Sequence, residues 1–418
     1  MRDLHGLKGM KGLLNVEYGS IHAFYWMSFA SLACFASVFL LGKGYSNTEI
    51  GVIFAAANVC AVILQPILAD IADRSRRISL FGISEILLAA VILLCFGMFF
   101  LREKSAVLAV TYVLILAGNA ALQPLFNSLC FKLSESGVHM NFGVCRSFGS
   151  LSYAVLCLFL GTLTEKKGIH VLPMTSELVM VLNLFCLLLA AFHFRSASRR
   201  RKKGEENRTT IKKSDDTISL TQFVQQNKLF FLLTLGVLGI YFGNGTLNNF
   251  MLQIITPLGG DSEDMGRIFS VMAFLEIPTL ALFERINRRF SCQTLLKAAS
   301  VAFLLKTALI WRAATVTIVL LAQGLQLLSF GLFLPAMVNF TNQVMRRGEA
   351  VRGQAIYTAM ITVSSVICSL LGGVILDRGG AGTLMLLATV LTAAGAVIIT
   401  LTVGRIHPKK KENIGLSA

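Results

Sequence analysis

The sequence predicts an all-α polytopic membrane protein, and three observations predict it. Only 14% of the 418 residues are charged, against about 25% in a soluble globular chain. The hydrophobic residues, 55% of the total, gather into runs of the roughly 20 residues that carry a helix across a ~30 Å hydrocarbon core. The runs do not alternate polar with apolar, as the strands of a membrane barrel would. Helices satisfy their own backbone groups in lipid, so each run reads as a helix.

Twelve runs are long enough to span: about 20–42, 49–70, 78–101, 106–130, 142–164, 173–194, 227–255, 265–283, 293–312, 314–340, 353–376 and 382–404. No small-residue cleavage site follows the first run, so it is expected to be a span and not a removed leader. The second follows "GYSNTEIG" and ends on the basic loop "DRSRR". The fourth contains Pro124, the fifth Arg146, and the sixth runs into a basic stretch. The seventh carries Asn244, Asn248 and Asn249, the eighth Glu276 and Pro278, the ninth Lys306. The tenth carries Gln323, Gln326 and Asn339, and the eleventh Tyr357. Between the sixth and seventh lies "RSASRRRKKGEENRTTIKKSDDTISLTQ", charged and without apolar periodicity, which reads as a linker. The expected organisation is a six-helix half over 1–194, a basic linker over 195–226, a second six-helix half over 227–404 and a tail over 405–418.

Charge distribution gives an orientation. The net charge is +16, and the excess lies on one side of the expected membrane. That side carries Arg74, Arg76, Arg77, nine basic residues in 195–213, Arg285, Arg288, Arg289 and the tail "RIHPKKK". The other side carries only Lys43, Arg102, Lys104, Lys166, Lys167, Arg267, Arg312 and Arg378. Basic residues mark the cytoplasmic side. Both termini are therefore expected in the cytoplasm, and the +16 reflects topology, not a nucleic-acid partner.

The chain repeats itself. "QPILADIADRSRR" (65–77) and "EIPTLALFERINRR" (276–289) both follow an apolar helix and close on a basic loop. Pro66 and Pro278 are 212 apart, as are Arg76 and Arg288. "GTLTEKKG" (161–168) and "GVILDRGG" (373–380) pair Gly161 with Gly373, Glu165 with Asp377 and Gly168 with Gly380, at the same offset of 212. Both copies start on the same side, so the repeat is parallel.

Several chemistries find no support. The nine cysteines form no CxxC and no disulfide framework. The six histidines show no metal-ligand spacing. There is no Walker motif and no nucleophile–base constellation, so no cofactor and no enzymatic activity are expected.

Four ionisable side chains stand inside apolar runs: Glu85, Arg146, Glu276 and Lys306. Such residues are expensive in hydrocarbon and are functional candidates. Formally they sum to zero, which allows pairing. Arg146 presents a planar fork of five donors suited to vicinal hydroxyls or a carboxylate. Glu276 is about eleven residues from one end of its helix, or roughly 16 Å, close to the midplane. A carboxyl removed from water favours its neutral form and can take up a proton. Asn244 and Asn248 share a helix face, and amides both donate and accept. Asn127, Gln65, Gln323, Gln326, Asn339, Tyr357 and the Tyr25–Trp26 pair could complete a polar wall, with Trp26 able to stack on a ring.

Twelve spans in six-plus-six form with a basic central loop resemble the major facilitator superfamily. "LADIADRSRR" is similar to its signature loop, Gly-x-x-x-Asp-Arg-x-x-Arg-Arg, with Asp73, Arg74 and Arg77 at matching positions and the leading Gly absent. There the acid pairs with an arginine and steadies one conformer at the cytoplasmic face. "FGVCRSFG" resembles the Phe-Gly-x-x-Arg-x-x-Gly stretch of lactose permease and the oligosaccharide/proton symporters, whose arginine binds sugar hydroxyls. Glu276 resembles the eighth-helix glutamate of that group. The chain departs from the group elsewhere. Asn127 stands where a glutamate follows Pro124 by three residues, Gln326 and Ser329 replace a His/Glu pair, and Lys306 replaces an arginine.

The resemblance implies a secondary active transporter in the cytoplasmic membrane, working by alternating access as a monomer. It implies a small polar solute, foremost a sugar or glycoside, moved with protons. Arg146, Glu276, Asn248, Asn244, Asn127, Gln326 and Trp26 would bind substrate, and Glu276 with Lys306 would couple. The lost His/Glu pair leaves a proton-coupled exporter of drugs or metabolites as the alternative.

Overall fold

Each apolar run is helical in the structure, a computed structural model that describes residues 2–74, 78–134, 142–201, 220–345 and 349–406. The first half contains α1 (Arg2–Phe29), a π-helical turn (Ala30–Cys34), α2 (Ala36–Gly42), α3 (Asn47–Arg74), α4 (Leu80–Met98), α5 (Ala106–Ser134), α6 (Phe142–Lys167) and α7 (Val171–Arg201). After the short α8 (Leu220–Gln226) come α9 (Lys228–Asn249), α10 (Met251–Ile255), α11 (Ser262–Arg289), α12 (Cys292–Trp311), α13 (Val316–Ala322), a 3₁₀ turn (Gln323–Gln326), α14 (Phe330–Val344) and α15 (Ala350–Val403). No strand occurs among the described residues.

Ten described helices or helix runs are long and apolar enough to cross a membrane, and a pair bent by 41°, Gly12–Cys34 with Ala36–Gly42, adds an eleventh. The longest, α15, is two spans joined at Gly380, whose φ of 73° and ψ of 179° break the helix. All twelve runs are thereby accounted for. The first differs at its edge: its helix, α1, begins at Arg2, not near Ser20, and takes Glu17 into the helix. Three spans are also interrupted, at the π turn, at Phe250 (φ −128°) and at the 3₁₀ turn. Hydropathy is blind to such breaks.

The duplication is visible in the turns. Ser79 and Ser291, also 212 apart, cap α4 and α12 by accepting from the backbone N–H groups of Gly82 and Thr294. Gly168 and Gly380 both adopt positive φ, 88° and 73°, a conformation that favours glycine. At the head of α3, Ser46 and Glu49 form a reciprocal capping box, the Ser46 N–H donating to Glu49 Oε2 at 2.8 Å and the Glu49 N–H to Ser46 Oγ at 3.3 Å. Pro124 inside α5 cannot bond the carbonyl of Ala120, and the Gln65 amide of α3 donates to that oxygen at 3.2 Å.

The chain forms two compact units, Met1–Asp215 with Asp261–Ala273, and Asp216–Gly260 with Phe274–Ala418. In the first, α1 packs on α6 and α7, and α3 and α4 on α5. Its interior holds a chain of small polar groups. Ser176 donates to Ser31 at 2.8 Å, Ser31 to the Ser28 carbonyl at 3.2 Å, and Ser28 to Asn119 at 3.1 Å. In the second unit α9 runs along α15, where Gly236, Gly239 and Gly395 let the backbones touch. A Cβ on Gly239 would lie 2.5 Å from the Leu391 carbonyl, the close approach that small residues permit between membrane helices. Phe230, Phe303, Phe333 and Phe340 fill the core beside them.

Candidate functional site

In the second unit, three polar side chains from three successive spans meet in a line. Lys306 on α12 is wholly buried. Its Nζ donates to Gln326 Oε1 at 2.5 Å, and Gln326 Nε2 donates to Glu276 Oε1 at 2.6 Å. One amide thus bridges an ammonium and a carboxylate, accepting from the first and donating to the second, the two functions an amide possesses. Glu276 is partly exposed and lies within Coulombic reach of both Lys306 and Tyr241. The 3₁₀ turn presents Gln326, because residues three apart eclipse there. The same geometry puts Gln323 alongside it. Gln323 is fully buried with neither amide atom hydrogen-bonded among the described residues, and the same holds for Ser329 Oγ and Asn244 Oδ1. Buried polar groups are ordinarily satisfied, so these groups are unused donors and acceptors.

Asn244 is buried and Asn248 partly exposed on α9. Asn249 instead donates to Ser369 at 3.1 Å, a bond that ties α9 to α15. The Tyr241 and Tyr357 hydroxyls are 3.1 Å apart, and Tyr241 sits edge-on to Phe333.

In the first unit Arg146 lies over Trp26, its guanidinium carbon 4.0 Å from the ring centroid, and donates to Ser150 Oγ at 3.0 Å. An indole face attracts a guanidinium electrostatically, most strongly away from water. The Trp26 Nε1 is buried without a hydrogen-bond partner among the described residues. Gly149, the last residue of "FGVCRSFG", makes the stack possible: a Cβ there would overlap Trp26 Cδ1. Arginine and glycine three residues apart in the motif therefore act on one indole, the first covering it and the second making room for it. Tyr25 is edge-on to both Trp26 and Phe126. Asn127 is half-buried on the same α5.

The structure thus joins Glu276, Gln326 and Lys306 to one another, and Arg146 to Trp26. Asp73 and Arg74 end α3, and Arg77 lies outside the described residues. Glu85 keeps one buried carboxylate oxygen without a partner among the described residues. One group was missed in the sequence. His193 Nδ1 on α7 meets Glu17 Oε1 on α1 at 2.6 Å, with Glu17 buried. Following the first helix back past Ser20 would have shown this acid as an ionisable residue inside a helix.

Comparison with known proteins agrees with this architecture. The MFS_1 like family matches residues 18–387. The maltose permease of Geobacillus stearothermophilus is 25% identical over 388 residues, spanning 91% of this chain and 92% of that protein. The uncharacterized transporter YwbF of Bacillus subtilis strain 168 is 22% identical over 390 residues, with 91% and 92% covered. Among solved structures, the nucleoside transporter NupG superposes with a TM-score of 0.70 at 13% identity, covering 95% of this chain and 100% of that one. The POT family transporter PepTSo gives 0.71 at 11% identity, covering 94% and 97%. The chain therefore belongs to the MFS_1 like family and is a multi-pass membrane transporter.

Proposed function

We propose that the protein is a proton-coupled importer of a sugar or glycoside, with both termini in the cytoplasm and its two halves alternating access to a central site. The Glu276–Gln326–Lys306 line carries this reading. It holds an acid, a base and a two-sided amide on three consecutive spans, so a proton on Glu276 alters the bond Gln326 makes. Because Gln326 is the hydrogen-bond partner of Lys306, the change reaches a buried charge two side chains away. The likeness to a maltose permease supports a glycoside as cargo. Arg146 and Trp26 suit that cargo as well: a fork of donors faces vicinal hydroxyls, and an indole stacks on the apolar face of a sugar ring.

Each residue then has a role in this reading. Arg146 and Trp26 bind the ring, Asn244, Asn248, Asn127 and Gln326 supply amides for further hydroxyls, and Glu276 with Lys306 couples. Asp73, Arg74 and Arg77 steady one conformer at the cytoplasmic loop. The test is counterflow in proteoliposomes loaded with unlabelled maltose, other glycosides, nucleosides or organic acids. A labelled glycoside that accumulates only against glycoside-loaded vesicles supports the reading. Exchange confined to nucleosides or organic acids overturns the cargo assignment.

A further inference from the structure

At the end of the first unit opposite the N-terminus of α1, three turns converge: the one after α2, the one after α4 and the one between α6 and α7. They enclose a cavity of about 250 Å³ whose lining includes Lys43, Arg102 and His170 together with Phe39, Phe99 and Met174. Two cationic side chains and an imidazole line it and no carboxylate does. Two other basic residues of this region are held in ion pairs. Lys104 is paired with Glu49 at 2.6 Å, and Arg267 with Glu263 and Asp264. Arg102 has no ion pair among the described residues, and Lys43 spends its bonds on the carbonyls of Leu101 and Arg102, at 3.3 and 2.8 Å. That bonding holds its ammonium at the cavity wall. The positive end of the α7 dipole lies on the same side, since Ile169, His170, Pro173 and Met174 also line the space.

The cavity therefore combines cationic with apolar lining residues, and it lies at the end of the first unit where the helices turn. Phe100 and Met174 beside it are largely exposed, at 73% and 56%, as lipid-facing side chains are. We propose that this cavity binds the phosphodiester headgroup of an anionic phospholipid, with an acyl chain lying along Phe99 and Met174. Basic residues are few on this side of the expected membrane, so Lys43 and Arg102 meeting at one cavity is not a result of the topological bias. A phosphate accepts from the Arg102 fork, and the apolar lining residues favour a ligand that carries a tail.

Native mass spectrometry of the purified full-length protein tests this. The probes are dioleoyl phosphatidylglycerol, dioleoyl phosphatidylcholine, glycerol phosphate and inorganic phosphate. Each cation near a lipid surface is expected to contribute about fivefold in affinity. Phosphatidylglycerol should bind at least about fivefold more tightly than phosphatidylcholine, and R102Q/H170Q should remove most of that preference. Lys43 is left intact because it caps carbonyls, and R102K, which keeps the charge, should retain the preference and so separates charge from misfolding. Equal binding of the two lipids, or an unchanged preference in R102Q/H170Q, overturns the proposal. Glycerol phosphate or inorganic phosphate competing as well as the lipid would show a small-anion site and overturn the tail assignment.

Discussion

Arg146 keeps a full charge inside a membrane helix, and its environment shows how that is tolerated. The indole of Trp26 covers one face and Ser150 takes one N–H. Arg146→Ala is expected to weaken substrate binding at least about tenfold, equivalent to ~1.4 kcal/mol, while the protein still inserts and melts near the wild-type temperature. Unchanged binding with earlier melting would make Arg146 a structural residue. Gly149→Leu should reproduce the binding loss without touching the arginine, because it displaces Trp26; isothermal titration with the counterflow substrate measures both. In the second unit, Lys306 is buried with Gln326 as its hydrogen-bond partner. Removing Glu276 leaves the buried Lys306 ammonium without its nearby acid, which costs stability. Lys306→Met and Glu276→Gln should each destabilise, and the double variant should be less destabilised than their sum. A strictly additive double-mutant cycle in thermal unfolding would refute the coupling of the two charges.

The helices report what apolar runs alone can and cannot tell. Span existence follows from composition, because a 20-residue apolar stretch has no alternative to helix in lipid. The repeat offset of 212 was legible too, and it reappears in the Ser79 and Ser291 caps. The breaks were not legible. A π turn at Ala30–Cys34 and a 3₁₀ turn at Gln323–Gln326 leave no mark in hydropathy. The site was legible in part for the same reason. Glu276, Lys306 and Arg146 announce themselves as charges in apolar runs, whereas the order of contacts, with Gln326 between acid and base, depends on where the 3₁₀ turn aims its side chains. Glu17 escaped notice because the first helix begins earlier than its apolar run. Gln65 offers a test at this scale. Its amide satisfies the Ala120 carbonyl that Pro124 leaves open, so Gln65→Ala should cost about 1–3 kcal/mol in thermal unfolding and leave substrate affinity unchanged. A variant as stable as wild type would show that the carbonyl is satisfied otherwise.

The sequence repeats at an offset of 212 residues, and the two compact units differ in their polar residues. The first half carries the arginine–indole stack, the second the acid–amide–base line. The basic segment joining them is polar and aperiodic in sequence, so replacing residues 200–215 with Gly/Ser of similar reach should leave uptake near wild type. Loss of uptake in well-inserted protein would assign that segment a regulatory or docking role. The central claim is that Glu276 carries the coupled proton, and paired assays on the same Glu276→Gln vesicles test it most directly. The amide keeps the shape and hydrogen-bonding capacity of the acid but cannot be ionised. Uphill accumulation driven by an imposed proton gradient should be abolished, while counterflow exchange of the same substrate persists. Uphill accumulation surviving in Glu276→Gln would contradict the account.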